Sequence, residues 1–371
     1  MSPDVVIIGA GIVGAACAAS LSAAGLRVVV IEANGIATGT TAAGMGHIVL
    51  MDDSEAQFAL TNYSRKLWND LATELPAWAE YDHCGTIWIA ADQEEMKEVR
   101  RKNDVYQTHG AVAEILDERS LREAEPNLRE GLAGGLLVKD DSVVYQLCAT
   151  KCLLEKAQQN GAKVRTGHPV VKISDEGVTL KNGEAIPAGA IINAAGTAAA
   201  ELTPQLKISK RKGHLVITER YPHFVRHQLI ELGYLKSAHG SDADSVAFNA
   251  QPRSTGQILL GSSRQFGIDD CGSIDYGILR RMTARAFEYI PILRTLSTVR
   301  IWTGFRPATP DNLPYIGKIP GFDNVYSATG HEGLGITTSL GTAELITDAF
   351  LGRESAISPR PYLPSREIKT H

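Results

Sequence analysis

The stretch DVVIIGAGIVGAACAASLSAAGLRVVVIEA, Asp4 to Ala33, constrains the fold more than any other part of the chain. It opens on a continuous β-branched run, DVVIIG, of the kind a parallel strand buried on both faces requires. Small residues suited to a close-packed helix follow, GIVGAACAASLSAAG, and then a second β-branched run, LRVVVIEA. Strand, helix and strand within about thirty residues make a right-handed βαβ unit. A secretory leader is not expected here, because no basic region precedes the apolar run and Arg27 and Glu32 interrupt its far end. A membrane helix would not segregate its β-branched and small residues in this way.

Gly9, Gly11 and Gly14 form G-x-G-x-x-G where the strand meets the helix. Gly9 permits the tight turn, Gly11 lets a pyrophosphate approach the backbone, and Gly14 lets the helix pack close to the strand. The helix start then offers free N–H groups and a positive dipole end to phosphates. Glu32 ends the second strand about twenty residues on, where a carboxylate can accept from ribose hydroxyls. That acid disfavours a 2′-phosphate and so NADP. The next segment separates NAD from FAD. GIATGTTAAGMGHI, with Gly44 and Gly46, stands where an NAD fold continues with another helix, and its small residues suit backbone lying against a large planar ligand. Thr40, Thr41 and nearby amides can bind the pyrophosphate or the flavin edge; an ordinary glycine-rich loop is the plainer alternative.

Further pieces follow. KCLLEKAQQNGAKV is a helix stopped at Gly161, a hairpin turns at Asn182-Gly183, and AIINAAG is a buried strand ending at Gly196. NVYSATGHEGLGITTSLGTAELITDAFLG gives a strand, a glycine-rich turn and a helix from near Gly335. That second helix start suits the end of a flavin that gains negative charge on reduction.

These four pieces, in this order and over almost the whole chain, resemble the FAD-dependent D-amino-acid oxidase family. The similarity is to its branch of glycine oxidases and D-amino-acid dehydrogenases, and TTAAGMGHIVLMDDS points within it to the catalytic subunits of D-hydroxyproline dehydrogenases. The resemblance implies Gly9, Ala10, Gly11, Ile12, Val13 and Gly14 at the pyrophosphate, Glu32 and Ala33 at the adenosine, and Thr40, Thr41, Ala43, Gly44 and Met45 along the path to the flavin. It implies Val171 framing the adenine through its backbone, Ala195 and Gly196 packing near the cofactor, and Gly304, Gly330, Gly333, Leu334, Gly335, Ile336 and Thr337 around the isoalloxazine. NAAGTAAAEL departs from the family in lacking an aromatic residue after its glycine, and GHEGLG is shorter in polar character than the oxidase form. Relatives that attach flavin covalently use a Cys within the segment that here reads WTGFRPATPDNLPYIG, or a His where this chain has Thr41, so noncovalent FAD is expected.

Arg306, in the Pro-punctuated GFRPATPDNLPYIG, is implied as the clamp on the substrate carboxylate. His47 and His331 fall in flavin-side loops and are catalytic candidates, with hydrogen-bonded structural histidines as the plainer alternative. Tyr234, Phe248, Gln251 and Arg253 are pocket candidates on strands, where such residues otherwise pack.

The fold class expected is α/β, a Rossmann-type FAD-binding domain with a second α+β substrate domain built on an antiparallel sheet. Residues 1–47, 141–210 and 304–350 are assigned to the first, 48–140 and 211–303 to the second, and 351–371 to a Pro-rich tail expected to be a loosely packed strap or a partner contact. The first part of the substrate domain is expected to be helical and charged. RKGHLVITER, SVAFNAQP and QILLGSSR are expected to be strands polar on one face, in a sheet with an exposed or ligand-facing side.

The reaction expected is oxidation of the Cα–N bond of a D-amino or cyclic imino acid, cis-4-hydroxy-D-proline foremost, by hydride transfer to flavin. The alternatives are a glycine or sarcosine oxidase using oxygen, or the flavoprotein subunit of a multisubunit amine dehydrogenase. The net charge of −5 over 371 residues gives no reason to expect nucleic acid. Five cysteines, with no second Cys pair beside Cys148 and Cys152, argue for a reducing compartment and against a metal or disulfide framework. A cytoplasmic enzyme is expected, with a quinone or protein as electron acceptor and with hetero-oligomeric or membrane-peripheral association open.

Overall fold

The structure is a computed structural model, described here over residues 2–233, 244–270 and 272–368. Tyr234 and Cys271 lie outside the described residues. The opening unit folds as its pattern requires. Strands β1 (Val5–Ile8) and β2 (Val28–Ile31) pair in parallel around helix α1 (Ile12–Ala23). All four β1 side chains are buried, as is expected of a strand covered on both faces. Helix α1 buries Ala15, Ala16, Cys17 and Ala18 between two later helices, α5 (Gln146–Gln159) and α8 (Ser339–Leu351). Small side chains permit that three-helix approach.

The remaining strands of this first sheet come from distant parts of the chain: β8 (Lys163–Arg165), β12 (Ala190–Asn193), β18 (Tyr315–Lys318) and β19 (Val325–Thr329). The order is β18-β19-β12-β1-β2-β8, parallel except for the β18–β19 pair. A small antiparallel sheet of β9 (Val170–Ser174), β10 (Gly177–Leu180) and β11 (Ala185–Pro187) flanks it, turning at Gly183 as expected. The ribbon β3 (His47–Ile48) with β7 (Ser142–Val143) joins the two halves of the molecule.

The second sheet has eight strands: β17 (Thr298–Ala308), β13 (Ser209–Arg220), β16 (Gln257–Arg264), β15 (Ser245–Pro252), β14 (Gln228–Glu231), β4 (Thr86–Ala90), β6 (Gly134–Val138) and β5 (Ala113–Asp117), in that order. It is antiparallel except that β14 and β4 run parallel. Three of its strands come from the segment expected to be helical, which contributes α2 (Glu55–Ala72), α3 (Gln93–Thr108) and α4 (Glu118–Ala124) as well. The run TIWIA in β4 is buried throughout, so it carries no alternation for a strand to show. The polar face expected of β13, β15 and β16 is turned inward, where Arg211, Asn249, Ser262 and Arg264 line the cleft described below, so it shows no alternation of burial. Both faces are covered. Val216 and Leu260 pack toward α7 (Tyr276–Tyr289), while Leu215, Ile217 and Leu259 pack on Met45. The short helix α6 (Ala199–Leu202) follows β12.

The tail is docked, not loose. Tyr362 is buried and its hydroxyl donates to Ala56 O at 2.6 Å, and Arg366 pairs with Asp311 and donates to the carbonyls of Leu313 and Pro314. A buried aromatic and a multiply bonded guanidinium outweigh the prolines that suggested a strap. Among the described residues, no helix is long and apolar enough to cross a membrane.

Candidate active site

A cleft of about 470 Å³ runs between the two sheets. Its floor is the βα junction. Gly9 has φ +105°, and a Cβ on Gly14 would lie 2.1 Å from Gly9 O, so helix and turn touch as the glycine spacing predicted. Gly9, Gly11, Ile12 and Val13 line the cleft, while Ala10 and Gly14 shape it from behind. Ile12 N donates to Thr41 Oγ1 at 3.0 Å, tying the helix start to the next loop. The Glu32 carboxylate accepts from Ala10 N and Asn34 N, each at 2.8 Å, and lines the cleft beside Ala33. On the strand beyond, Val170 lines the cleft and the Val171 side chain is turned outward, 54 % exposed, which leaves its backbone for the adenine contact that the resemblance implies.

The middle of the cleft is the loop Thr40–Met45, fastened from three sides. Thr40 Oγ1 donates to Phe305 O at 2.9 Å, Gln146 Nε2 to Gly44 O at 2.8 Å, and Gln251 Nε2 to Met45 O at 2.8 Å. Gly304 is required beneath this loop, because a Cβ there would lie 2.0 Å from that of Ala43. Ala195 and Gly196 line the wall opposite, and Thr329 Oγ1 donates to Gly196 O at 3.0 Å.

The far end is the turn His331–Thr337. Gly333, Leu334, Gly335 and Ile336 line the cleft. Gly330 and Thr337 support it from outside, the latter donating from Oγ1 to His47 O at 3.0 Å. The buried Trp68 indole donates to the carbonyls of Ile336 and Thr337, both at 3.1 Å. Sequence reasoning missed this indole, which sits in an amphipathic helix with nothing to distinguish it from core.

Arg306 lies on the cleft wall where the second sheet meets that turn. Its guanidinium crosses Gly213, where a Cβ would lie 2.7 Å from Nη1, and Nη1 donates to Ser263 O at 2.9 Å. His47 and His331 also line the cleft. His47 Nε2 is 3.3 Å from Gly333 O, and His331 Nε2 is 2.9 Å from Thr342 Oγ1. Burial pushes His47 down to about 4, assisted by the charge of Arg306, and His331 down to about 3. Both rings are therefore neutral near pH 7.

The other pocket candidates fall elsewhere. Phe248 is fully buried in the core and stacks on Tyr289 with centroids 4.6 Å apart, while its neighbour Asn249 lines the cleft. Gln251 serves the Met45 loop and does not line the cleft, and Arg253 pairs with Glu80 at 2.5 Å. Tyr234 is outside the described residues.

The largest omission is Glu332, with Arg211 and Arg264. Glu332 Oε1 lies 3.1 Å from Arg211 Nη1 and 3.6 Å from Arg264 Nε, and all three residues line the cleft beside Arg306. Burial alone would raise the Glu332 carboxyl; the guanidiniums of Arg264, Arg306 and Arg211 outweigh it and hold the group at about 2, against an ordinary 4.5. The stabilisation from this carboxylate is complete above about pH 4.5 and is lost as pH falls toward 2. Glu332→Gln should destabilise the fold by about 3–5 kcal/mol, because it leaves the cations without their carboxylate. Denaturant unfolding at several pH values checks this. The variant should lack part of the wild-type loss of stability below about pH 4.5.

The family model described as FAD dependent oxidoreductase matches residues 4–349. The chain belongs to the FAD-dependent oxidoreductase family. Among curated members of that family, the chain is 28 % identical to a glycine oxidase of Pseudomonas aeruginosa, over 99 % of this chain and 100 % of the relative. It is 26 % identical to hydrogen cyanide synthase subunit HcnC of the same organism, over 98 % and 96 %. Among solved members, glycine oxidase from Geobacillus kaustophilus superposes with a TM-score of 0.88 at 25 % identity, covering 99 % of this chain and 100 % of that one. L-proline dehydrogenase from P. horikoshii superposes at 0.87 with 24 % identity, a likeness of fold. The family supplies the coarse activity, FAD-dependent oxidation of an amino-acid-type substrate at its C–N bond.

Proposed function

We propose that this chain oxidises a small amino acid of the glycine or sarcosine type, with noncovalent FAD along the cleft and the substrate carboxylate on Arg306. The observation that carries the reading is the continuity of the cleft wall. It runs from Glu32 past Gly9, Gly11 and the Thr40–Met45 loop to the Gly333–Ile336 turn, and the Arg306 guanidinium stands at that last end. Glu32 and the α1 start fit a ribose and a pyrophosphate, and the small residues of the loop and turn fit a flat ring. Among the described residues no Cys lines the cleft, which supports a noncovalent cofactor.

Bound FAD supplies a two-electron acceptor for the hydride of the substrate α-carbon. The chain's own residues orient the substrate. Arg306 fixes the carboxylate through a planar fork, which limits how the α-carbon can face the ring. The amine must be neutral for its lone pair to assist hydride departure. Neither His47 nor His331 is suited to remove its proton by titrating near neutrality, and Glu332, held at about 2, is too weak a base.

The pH profile tests this division of labour. The rising limb of kcat/KM should follow the ammonium group of each substrate, moving when a substrate of different amine acidity is used. A limb fixed at about pH 6–7 for every substrate, and lost in His47→Asn or His331→Asn, would place the base on the enzyme.

The names of the curated relatives favour oxygen as acceptor and a glycine or sarcosine type of substrate over hydroxyproline. In air, peroxide should form in step with amine consumed. Amine oxidation that needs an added quinone or dye, with little peroxide, would favour the dehydrogenase reading.

A further inference from the structure

We propose that Gln228, Asn249 and Trp88 form a subsite for an uncharged polar substituent of the substrate, a hydroxyl or a carboxamide a few bonds from the α-carbon. This rests on the amine-oxidising reading above and narrows its substrate to a glycine bearing such a substituent on carbon or nitrogen.

Strand register brings the three together. Ile230 on β14 stands directly opposite Trp88 on β4 on one side and Asn249 on β15 on the other. Residues opposite each other share a face of the sheet, and so does Gln228, two residues before Ile230 on the same strand. All four line the cleft. Trp88 and Asn249 therefore flank Ile230 at about 5 Å on either side, with Gln228 about 7 Å along the strand.

Their hydrogen-bonding capacity is unspent. Trp88, Gln228 and Asn249 are 0 %, 1 % and 5 % exposed. Among the described residues, neither end of the Gln228 amide has a hydrogen-bond partner, nor do Asn249 Oδ1 and the Trp88 indole N–H. Buried polar atoms are ordinarily paired, because an unpaired one loses its water for nothing. Four such atoms on one patch of cleft wall point to a ligand that completes them. Gln228 Oε1 and Asn249 Oδ1 need a donor, while Gln228 Nε2 and Trp88 Nε1 need an acceptor. A hydroxyl or a carboxamide supplies both. A carboxylate only accepts, and leaves the two amide oxygens unpaired. Ile230, between them, is an apolar floor for the carbons of the substituent.

The patch lies at the flavin end of the cleft. Gly261 on β16 stands opposite Asn249, and a Cβ there would lie 3.0 Å from Met45 Sδ, so this row of the sheet runs up to the flavin-side loop. Leu334, from the turn at the far end of the cleft, packs on the apolar cluster that holds Trp88 and Ile230. Arg306 Nη1 donates to Ser263 O, two residues from Gly261 on the same strand and at most about 7 Å along it. A substrate whose carboxylate is held at Arg306 therefore has a short substituent within reach of Asn249 and Gln228.

The test uses the FAD-loaded enzyme. Anaerobic flavin bleaching is compared within matched pairs, D-serine against D-alanine and cis-4-hydroxy-D-proline against D-proline. Calorimetry compares 3-hydroxypropionate with propionate and malonate as unreactive ligands of similar size. At least one hydroxylated substrate should exceed its plain partner in kcat/KM by about tenfold or more, and 3-hydroxypropionate should bind tighter than either other acid by a similar factor. Gln228→Leu and Asn249→Leu should each lower the hydroxylated-to-plain ratio about tenfold; the ratio cancels any loss of fold or flavin that both substrates share. If a variant does not fold, the comparisons on the wild-type protein decide. Hydroxylated substrates no better than their plain partners, with propionate or malonate binding as tightly as 3-hydroxypropionate, would overturn the subsite and leave the amine-oxidising reading standing. An unchanged ratio in both folded variants would overturn it equally. If no member of either pair and no other amino acid bleaches the flavin, the amine-oxidising reading fails and this one fails with it.

Discussion

Replacing Arg306 with Ala should lower kcat/KM for the amino-acid substrate by about 30- to 5,000-fold while FAD stays bound. The range follows from the cost of removing one partner of a buried, hydrogen-bonded charge pair, about 2–5 kcal/mol. The fold should survive, because Glu332 keeps Arg211 and Arg264 as counter-charges and Ser263 loses only one donor to its carbonyl. Arg306→Lys should recover little, since a point charge on a flexible stem does not reproduce a planar fork lying across Gly213. Steady-state kinetics with the flavin content measured on the same preparation separates the clamp from cofactor loss. An alanine variant with unchanged KM and turnover would remove Arg306 from substrate binding.

Gly14→Ala should give protein with little or no FAD and a lowered melting temperature. A methyl group there would lie 2.1 Å from Gly9 O, far inside contact distance, and its neighbour is backbone that has no rotamer to escape into. Overpacking of this kind costs about 1–3 kcal/mol when the surroundings can move. Here the yielding part is the turn that presents Gly9 and Gly11 to the pyrophosphate, so relief of the clash spoils the site. The flavin-to-protein ratio and a thermal melt check this. Full flavin content with an unchanged melt would mean that the helix start is not held against the strand as described.

Much of the nucleotide end was legible because its chemistry is local. Gly9, Gly11, Gly14 and Glu32 lie within one βαβ unit, so the spacing along the chain determines the spacing in space. The Thr40–Met45 loop and the Gly333–Ile336 turn were legible from their small residues, and Arg306 from its resemblance to a family clamp. The Glu332 cluster was not legible. Its members come from β13, β16, β17 and the following turn, and only strand register brings Arg211 opposite Arg306. Phe248 shows a second limit. A one-residue choice of face on a strand is set by what covers each side, and that cover comes from remote segments. The strands β4 and β6 were hidden because TIWIA and GGLLV are buried on both faces and show no period.

The most direct measurement is anaerobic mixing of the FAD-loaded protein with a panel of amino acids while its absorbance is recorded. The account predicts that a small amino acid bleaches the flavin in a single phase and that Arg306→Ala slows or abolishes the change at the same concentration. A protein that binds no FAD, or holds it and is bleached by no amino acid, would contradict the account.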